Sequence, residues 1–250
     1  MIKYNLSKED QEFVANYNPG DYERPSVTTD ILIFTVDIKE GLQLLMIKRK
    51  NPPFRDYWAI PGGFVDMNED IDEGARRELF EETGVKDVHL EQLYTFGEVG
   101  RDPRMRVITI AYMALVPKAL LKPIAGDDAA DAQWMNIKFD HDGELYFEND
   151  HKAGVSMIAF DHQNIIKTAV ERLRGKLEYT TIATNLLNNK EKFTIYELQK
   201  IHEGILGHGL NAANFRRYFL TTYIEKYKAE DTGVACTQFS KRPSHYYKLL

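Results

Sequence analysis

The stretch that most constrains this chain runs from Gly62 to Val85, GGFVDMNEDIDEGARRELFEETGV. Its second half reads as a helix. Asp70 can cap the start, and Glu73, three residues on, can reach back as a capping-box partner. Gly84 supplies a left-handed residue to end it. At about 100° per residue, Glu78, Glu81 and Glu82 share one face. Like charges at these spacings repel by roughly 0.2–0.5 kcal/mol per pair in a bare helix. Accepting that repulsion beside Arg77, with no alternating lysines, points to a divalent cation. Hard oxygen ligands without histidine or cysteine suit Mg²⁺ or Mn²⁺ and not zinc. The bland alternative is an acidic, solvated helix face.

The wider spacing is more demanding than a cluster of acids. Gly63 is followed after five residues by Glu69 and after seven more by Arg77-Glu78, Leu79, then Glu81-Glu82, Gly84 and Val85. This resembles the Nudix box at every specified position. The resemblance implies a hydrolase that splits a nucleoside diphosphate linked to another group. Carried over residue by residue, Glu78, Glu81 and Glu82 would bind Mg²⁺ (or Mn²⁺), aided by the carbonyl of Gly62. Arg77 would orient the carboxylates together with Glu69.

Charge divides the chain. Of 250 residues carrying a net −6, residues 1–157 hold 18 Lys and Arg against 29 Asp and Glu, whereas residues 158–250 hold 14 against 9. An acidic half joined to a basic half suggests two domains with different partners, nucleic acid being one candidate for the second. The single cysteine, Cys236, excludes an internal disulfide and a zinc set, which fits a reducing cytoplasm. No N-terminal run resembles a signal peptide, and the apolar run Ile31–Val36 is far too short for a bilayer.

Along the chain, residues 8–17 read as a short helix, 26–37 and 42–48 as a hairpin of strands turning at Gly41, and 88–97 and 106–116 as further strands. Phe54 and Trp58 lie between the hairpin and the box, placed either to stack on a base or to fill the core. The loop Gly100-Arg101-Asp102-Pro103-Arg104 sets Arg101 and Arg104 near the presumed site, where arginine can grip phosphate oxygens. The loop at Gly126 carries Asp127, Asp128 and Asp131 ahead of a strand at 133–135. In Nudix enzymes the general base often comes from a loop in this region, which makes Asp127, Asp128 and Asp131 candidates for that role, and the resemblance implies Asp127 and Asp128 as catalytic residues beside Glu81, Glu82 and Arg77. Residues 138–157 read as an irregular linker.

From 161 to 176 an amphipathic helix follows, then a short helix at 181–187, a helix at 196–206 capped by Thr194, a turn at Gly207, and a helix at 212–223 capped by Asn211. Two short strands at 224–228 and 244–249 complete the pattern of a winged helix-turn-helix. The fold class expected is α+β, an N-terminal Nudix α/β/α sandwich over 1–157 and a linker helix with winged helix over 158–250. Asn214, Arg216 and Arg217 would face a DNA groove, with Phe215 turned inward.

Several further segments resemble one Nudix subfamily: Arg24-Pro25-Ser26-Val27, the Arg-Asp-Pro-Arg loop, Phe160-Asp161-His162, Tyr196-Glu197-Leu198-Gln199, Asn214-Phe215-Arg216-Arg217 and Arg242-Pro243. It joins a Nudix domain to a winged helix and includes transcriptional regulators of NAD metabolism. The resemblance implies ADP-ribose as ligand, double-stranded DNA as partner, and a homodimer. Many such regulators carry a degraded box, and this box is intact. Their recognition helices often carry charge where this chain has Ala212 and Ala213. Two functions compete: a Mg²⁺-dependent hydrolase of ADP-ribose or a related nucleoside diphosphate sugar, and a DNA-binding regulator that holds ADP-ribose without cleaving it. An intact carboxylate set favours the first, a winged helix the second.

Overall fold

The computed structural model describes residues 4–122, 129–139, 145–147, 157–237 and 244–249. A helix α1 (Lys8–Asn16), capped by Ser7 and Asp10, buries none of its residues. Then comes the long strand β1 (Ser26–Asp37), which turns through Asp37–Gly41 into β2 (Gly41–Arg49). Two short strands, β3 (Trp58–Ala59) and β4 (Gly62–Phe64), pair with β2 and β1. Helix α2 (Ile71–Thr83) is followed by β5 (His89–Phe96), β6 (Val107–Leu115), β7 (Ala129–Phe139) and β8 (Leu145–Phe147). The strand order is β5-β6-β1-β2-β7-β8, with β1 and β6 parallel over nine register pairs, Ser26↔Val107 to Phe34↔Leu115.

Alternation along β1 decides which helix covers which face. Ile31 and Ile33 pack with Leu45, Ala75 and Leu79, so α2 lies on that side. Leu32, Phe34 and Val36 point the other way, into a larger core that includes Ile165, Ile166, Ala169, Val170 and Leu173 of α3 (His162–Lys176). Helices on both faces make the α/β/α sandwich.

The same larger core runs on without a break through Leu198, Ile201 and Ile205 of α4 (Ile195–Leu206) to Phe215 and Phe219 of α5 (Ala212–Phe219). Thr194 and Glu197 close a capping box on α4, Gly207 ends it at φ 80°, and Asn211 accepts from the amides of Ala213 and Asn214 to start α5. Gly204 of α4 meets the β1–β2 hairpin, where a Cβ would lie 2.8 Å from Val36 Cγ1. A three-stranded sheet, ordered β10 (Glu230–Cys236), β11 (Ser244–Lys248) and β9 (Phe193–Thr194), forms the wing.

Three expectations change. Residues 224–228 are not a strand: α5 continues as a π-helical turn over Leu220–Lys226, and the wing strand begins at Glu230. The cause is Tyr223, fully buried and stacked on Phe219 at 5.5 Å between ring centroids, which holds the backbone helical one turn further. The strand expected at 133–135 extends over Ala129–Phe139 because it pairs along β2 from Arg49 back to Gln43. Within the stretch read as an irregular linker, Leu145–Phe147 forms β8 against Ile137–Phe139. Among the described residues, no helix is long and apolar enough to cross a membrane.

Candidate functional site

Helix α2 starts as its sequence dictates. Asp70 accepts from the amide of Asp72 at 3.0 Å, and the amide of Asp70 donates to Glu73 at 3.1 Å. At the other end Gly84 adopts φ 69° and its amide donates to Phe80 O at 2.7 Å. Ala75 and Leu79 anchor the helix in the core, and the carboxylates lie on the face adjoining them: Glu78 buried, Glu82 half-buried, Glu81 exposed.

Arg77 organises them. Its Nε and Nη2 grip Glu69 at 3.1 and 2.7 Å, Nη1 donates to Glu78 at 2.7 Å and to Glu81 at 3.1 Å, and Nη2 also reaches Phe64 O at 3.1 Å. Hydrogen bonds from Arg77, joined by the amide of Asp66, hold the Glu69 carboxyl down to about 2. Burial pushes the Glu78 carboxyl above its ordinary range, against the opposing pull of Arg77. A carboxylate kept in that condition gains from a nearby cation.

The two glycines of the box leave room for this arrangement. A Cβ on Gly63 would sit 2.2 Å from Glu78 Oε1, and one on Gly62 would sit 2.2 Å from Thr29 O. Glu78 therefore lies directly on the backbone of β4 at Gly63. The donor set of carboxylates and a carbonyl fits a hard cation such as Mg²⁺. In this structure Arg77 Nη1 stands between Glu78 and Glu81, and among the described residues no three acidic or histidine side chains converge on one point. Binding a cation therefore requires those two links to loosen, while the fork on Glu69 can stay.

The remaining expected contacts divide. Arg104 stays at the open face: its side chain is 41 % exposed, forked onto Asp102 at 3.1 and 2.7 Å and 5.8 Å from the Phe64 ring. Arg101 does not. Its side chain is 5 % exposed and forked onto Asp161 at 2.9 and 2.7 Å, with Asp30 at 3.5 Å, so its donors already serve carboxylates and do not face a substrate. Trp58 is likewise corrected from base-stacking to core: it is 6 % exposed within the larger cluster, with Lys48 Nζ 5.9 Å from its ring. Phe54 is half-buried and packs its ring against Tyr57 and Phe160, at 5.6 and 4.8 Å. Asp127 and Asp128 lie outside the described residues. Asp131 is in β7 opposite Lys48, accepting from the amide of Ala132 and from Gln133.

Sequence reasoning missed the buried charges on the other face of the sheet. Asp30 is buried within β1, and burial raises its carboxyl to about 6 despite Arg101. His162, the first residue of α3, accepts on Nδ1 from the amide of Ile60 at 2.9 Å; burial drives its pKa down to about 3. A signal existed: Asp30 is a lone carboxylate inside the otherwise uncharged run Ser26–Val36.

In the winged helix, Asn214, Arg216 and Arg217 are exposed on α5, and Phe215 and Phe219 turn inward at 4 % and 0 % exposure. Arg217 Nη2 donates to Asn214 Oδ1 at 3.3 Å.

Comparison with known proteins gives two family matches, a NUDIX domain over residues 26–139 and an NrtR DNA-binding winged helix domain over 183–249. The chain is 35 % identical, over 99 % of its length and 91 % of the relative's, to the ADPR responsive transcriptional repressor NtrR of Acinetobacter baylyi. It is 35 % identical over 58 % of its length and 73 % of the relative's to the ADP-ribose pyrophosphatase of Methanocaldococcus jannaschii. Among solved structures, a MutT/nudix family protein from Enterococcus faecalis aligns over 99 % of this chain and 100 % of that one with a TM-score of 0.76 and 29 % identity. Shewanella oneidensis NrtR complexed with a 27mer DNA aligns over 90 % and 93 % with a TM-score of 0.68 and 31 % identity.

Proposed function

Since the chain belongs to the Nudix superfamily, in the group that carries an NrtR winged helix, we propose that it is a DNA-binding regulator that responds to ADP-ribose or a related nucleoside diphosphate sugar and also cleaves it. The observation that carries the reading is similarity along nearly the whole chain to an ADPR responsive repressor, in a molecule whose α5 presents Asn214, Arg216 and Arg217 to solvent. We divide the chain into a Nudix unit, 1–157, and a unit of linker helix and winged helix, 158–250, acting as a homodimer in the cytoplasm where DNA is reached.

Cleavage is supported by the undamaged acidic set. A repressor that only holds its ligand has no need of Glu78, Glu81 and Glu82 kept together on one helix, with Arg77 gripping the first two. A bound Mg²⁺ (or Mn²⁺) would neutralise the diphosphate and make a water acidic enough to attack it. Arg77 holds Glu69 and orients Glu78 and Glu81 for that ion. Glu82 completes the charge on the helix face. Arg104, held at the open face by Asp102, would meet a phosphate oxygen with the Nη1 that Asp102 leaves over. Asp127 or Asp128 takes the water's proton.

The test is product analysis beside DNA binding. With Mg²⁺, the full chain should release AMP and a phosphorylated sugar from ADP-ribose, and Glu82→Gln should lower turnover with the fold intact. The same protein should shift a duplex from its own upstream region at low salt. A shift without AMP release would leave the regulator and remove the enzyme; AMP release without a shift would do the reverse.

A further inference from the structure

The start of α3 is stitched to the strand that opens the Nudix box. The amide of Ala159 donates to Trp58 O at 2.8 Å, Ile158 bridges Trp58 in parallel, and the amide of Ile60 donates to His162 Nδ1 at 2.9 Å. That last bond leaves the His162 proton on Nε2, 4.0 Å from Asp30 Oδ2. Asp30 in turn is the register partner of Gly62, and a Cβ on Gly62 would stand 3.0 Å from its Oδ1. Into this junction the loop between β5 and β6 inserts Arg101, which forks onto Asp161 and touches Asp30. One buried guanidinium thereby joins three parts of the molecule: the loop beside Arg104, the strand behind the box, and the residue before α3.

The consequence lies in what α3 carries. Its inner face packs on the sheet and its far end meets α4, where Arg174 Nε donates to Ile205 O at 3.0 Å. The helix cannot pivot at its start while the fork on Asp161 is closed. Gly62 and Gly63 put Asp30 and Glu78 on opposite faces of one strand, so a shift of β4 at the carboxylate site moves the junction directly. We propose that Arg101 is the positioning residue that registers the linker helix to the Nudix site, and that the Arg101–Asp161 fork transmits occupancy of that site to the winged helix. This rests on the reading above of a nucleotide-responsive DNA-binding protein.

The test uses the full chain in a Glu82→Gln background, so that ADP-ribose is not consumed, with and without Asp161→Asn. The amide removes the charge but keeps the shape, and Arg101 retains Asp30, so the cation is not stranded. Three quantities are read: affinity for ADP-ribose, affinity for the upstream duplex with and without saturating ADP-ribose, and hydrogen exchange of the amides of residues 162–166. In the parent, ADP-ribose should change DNA affinity about 5- to 150-fold. In Asp161→Asn this change should shrink to within about twofold, with ADP-ribose affinity held within about threefold and exchange at 162–166 raised about tenfold or more. Undiminished coupling, or unchanged exchange, overturns the proposal. A parent that binds no ADP-ribose or no DNA defeats the function proposed above; the exchange comparison then decides the fork alone. Should Asp161→Asn fail to fold, Arg101→Lys replaces it: a point charge in place of the fork should leave coupling between the parent value and none, and full coupling would overturn the role.

Discussion

Each face of the central sheet gathers carboxylates around one arginine, and the two hubs behave differently. On the α2 face Arg77 holds Glu69, Glu78 and Glu81, and its side chain is 30 % exposed. On the α3 face Arg101 holds Asp161 and Asp30 with a side chain 5 % exposed. The chemistry is the same and the dielectric is not. At the wetter hub, water or a cation can replace a guanidinium link, so the carboxylates remain available for exchange. At the dry hub water cannot take the arginine's place, and the pair becomes a fixed joint. Burial thus separates an organising arginine from a fastening one.

The largest expected effect breaks this contrast if it is wrong. Arg101→Met should cost about 3–5 kcal/mol of stability, because it strands buried carboxylates. Arg77→Met should cost less, about 1 kcal/mol, because the guanidinium is itself partly in water and one of its partners, Glu81, is exposed, yet it should weaken metal binding about 10- to 100-fold as the loss of an outer-shell partner does. Urea denaturation gives the first pair of numbers and Mg²⁺ titration of turnover the second. Similar stability losses for the two variants would mean that burial does not distinguish the hubs.

The contrast also explains what could be read from the chain. The α2 hub was legible because a box is a local pattern: Asp70, Glu73, Gly84 and the three glutamates fix helix, cap and face within a short span. Arg77 and Glu69 fell into place for the same reason. The α3 hub depends on Asp30, Arg101 and Asp161, far apart in sequence, and no local rule pairs them. Arg101 was expected at phosphate because a loop arginine looks exposed; its burial follows only once α3 is laid across the sheet. Trp58 had two open readings, and packing chose between them. The π-helical turn at 220–226 was hidden because Ile224–Lys228 looks like a strand until Tyr223 stacks on Phe219.

A third buried polar group sharpens the comparison, since it has no carboxylate at all. His202 of α4 is 4 % exposed, its Nε2 is 3.0 Å from Tyr223 OH, and burial lowers its pKa from 6.5 to about 4. The unfolded chain takes up this proton near pH 6.5 and the folded chain resists it, so the unfolded state binds more protons in between. Stability should be fully retained above pH 6.5 and fall as pH drops toward 4, by up to about 3 kcal/mol for this group. His202→Gln should flatten that limb of a stability–pH curve. His162, with its pKa pushed down to about 3, works in the same direction and should leave a residual slope in the variant. An unchanged curve would show that His202 titrates normally in the fold.

The smallest effect concerns arginines of α5 at the opposite extreme, exposed and, among the described residues, without a carboxylate partner. Arg216 and Arg217 follow Asn214 on the outward side of a helix whose inner side is fixed by Phe215 and Phe219. Neither should matter to stability beyond about 0.5 kcal/mol, because surface substitutions away from buried features seldom do. Their expected contribution is to phosphate. Each contact with the DNA backbone releases condensed counterions, so log affinity falls linearly with log salt, and each arginine lost should reduce that slope by about 1. Measured from low to moderate salt, Arg216→Ala and Arg217→Ala should each flatten the line, and the double variant should flatten it by the sum. A loss of affinity with no change in slope would place these side chains on bases instead of phosphates, and it should then vary with the duplex sequence. No change in either quantity would assign the polar face of α5 to some surface other than DNA. It would leave the three classes of arginine, fastening, organising and exposed, with only the first two having a defined role.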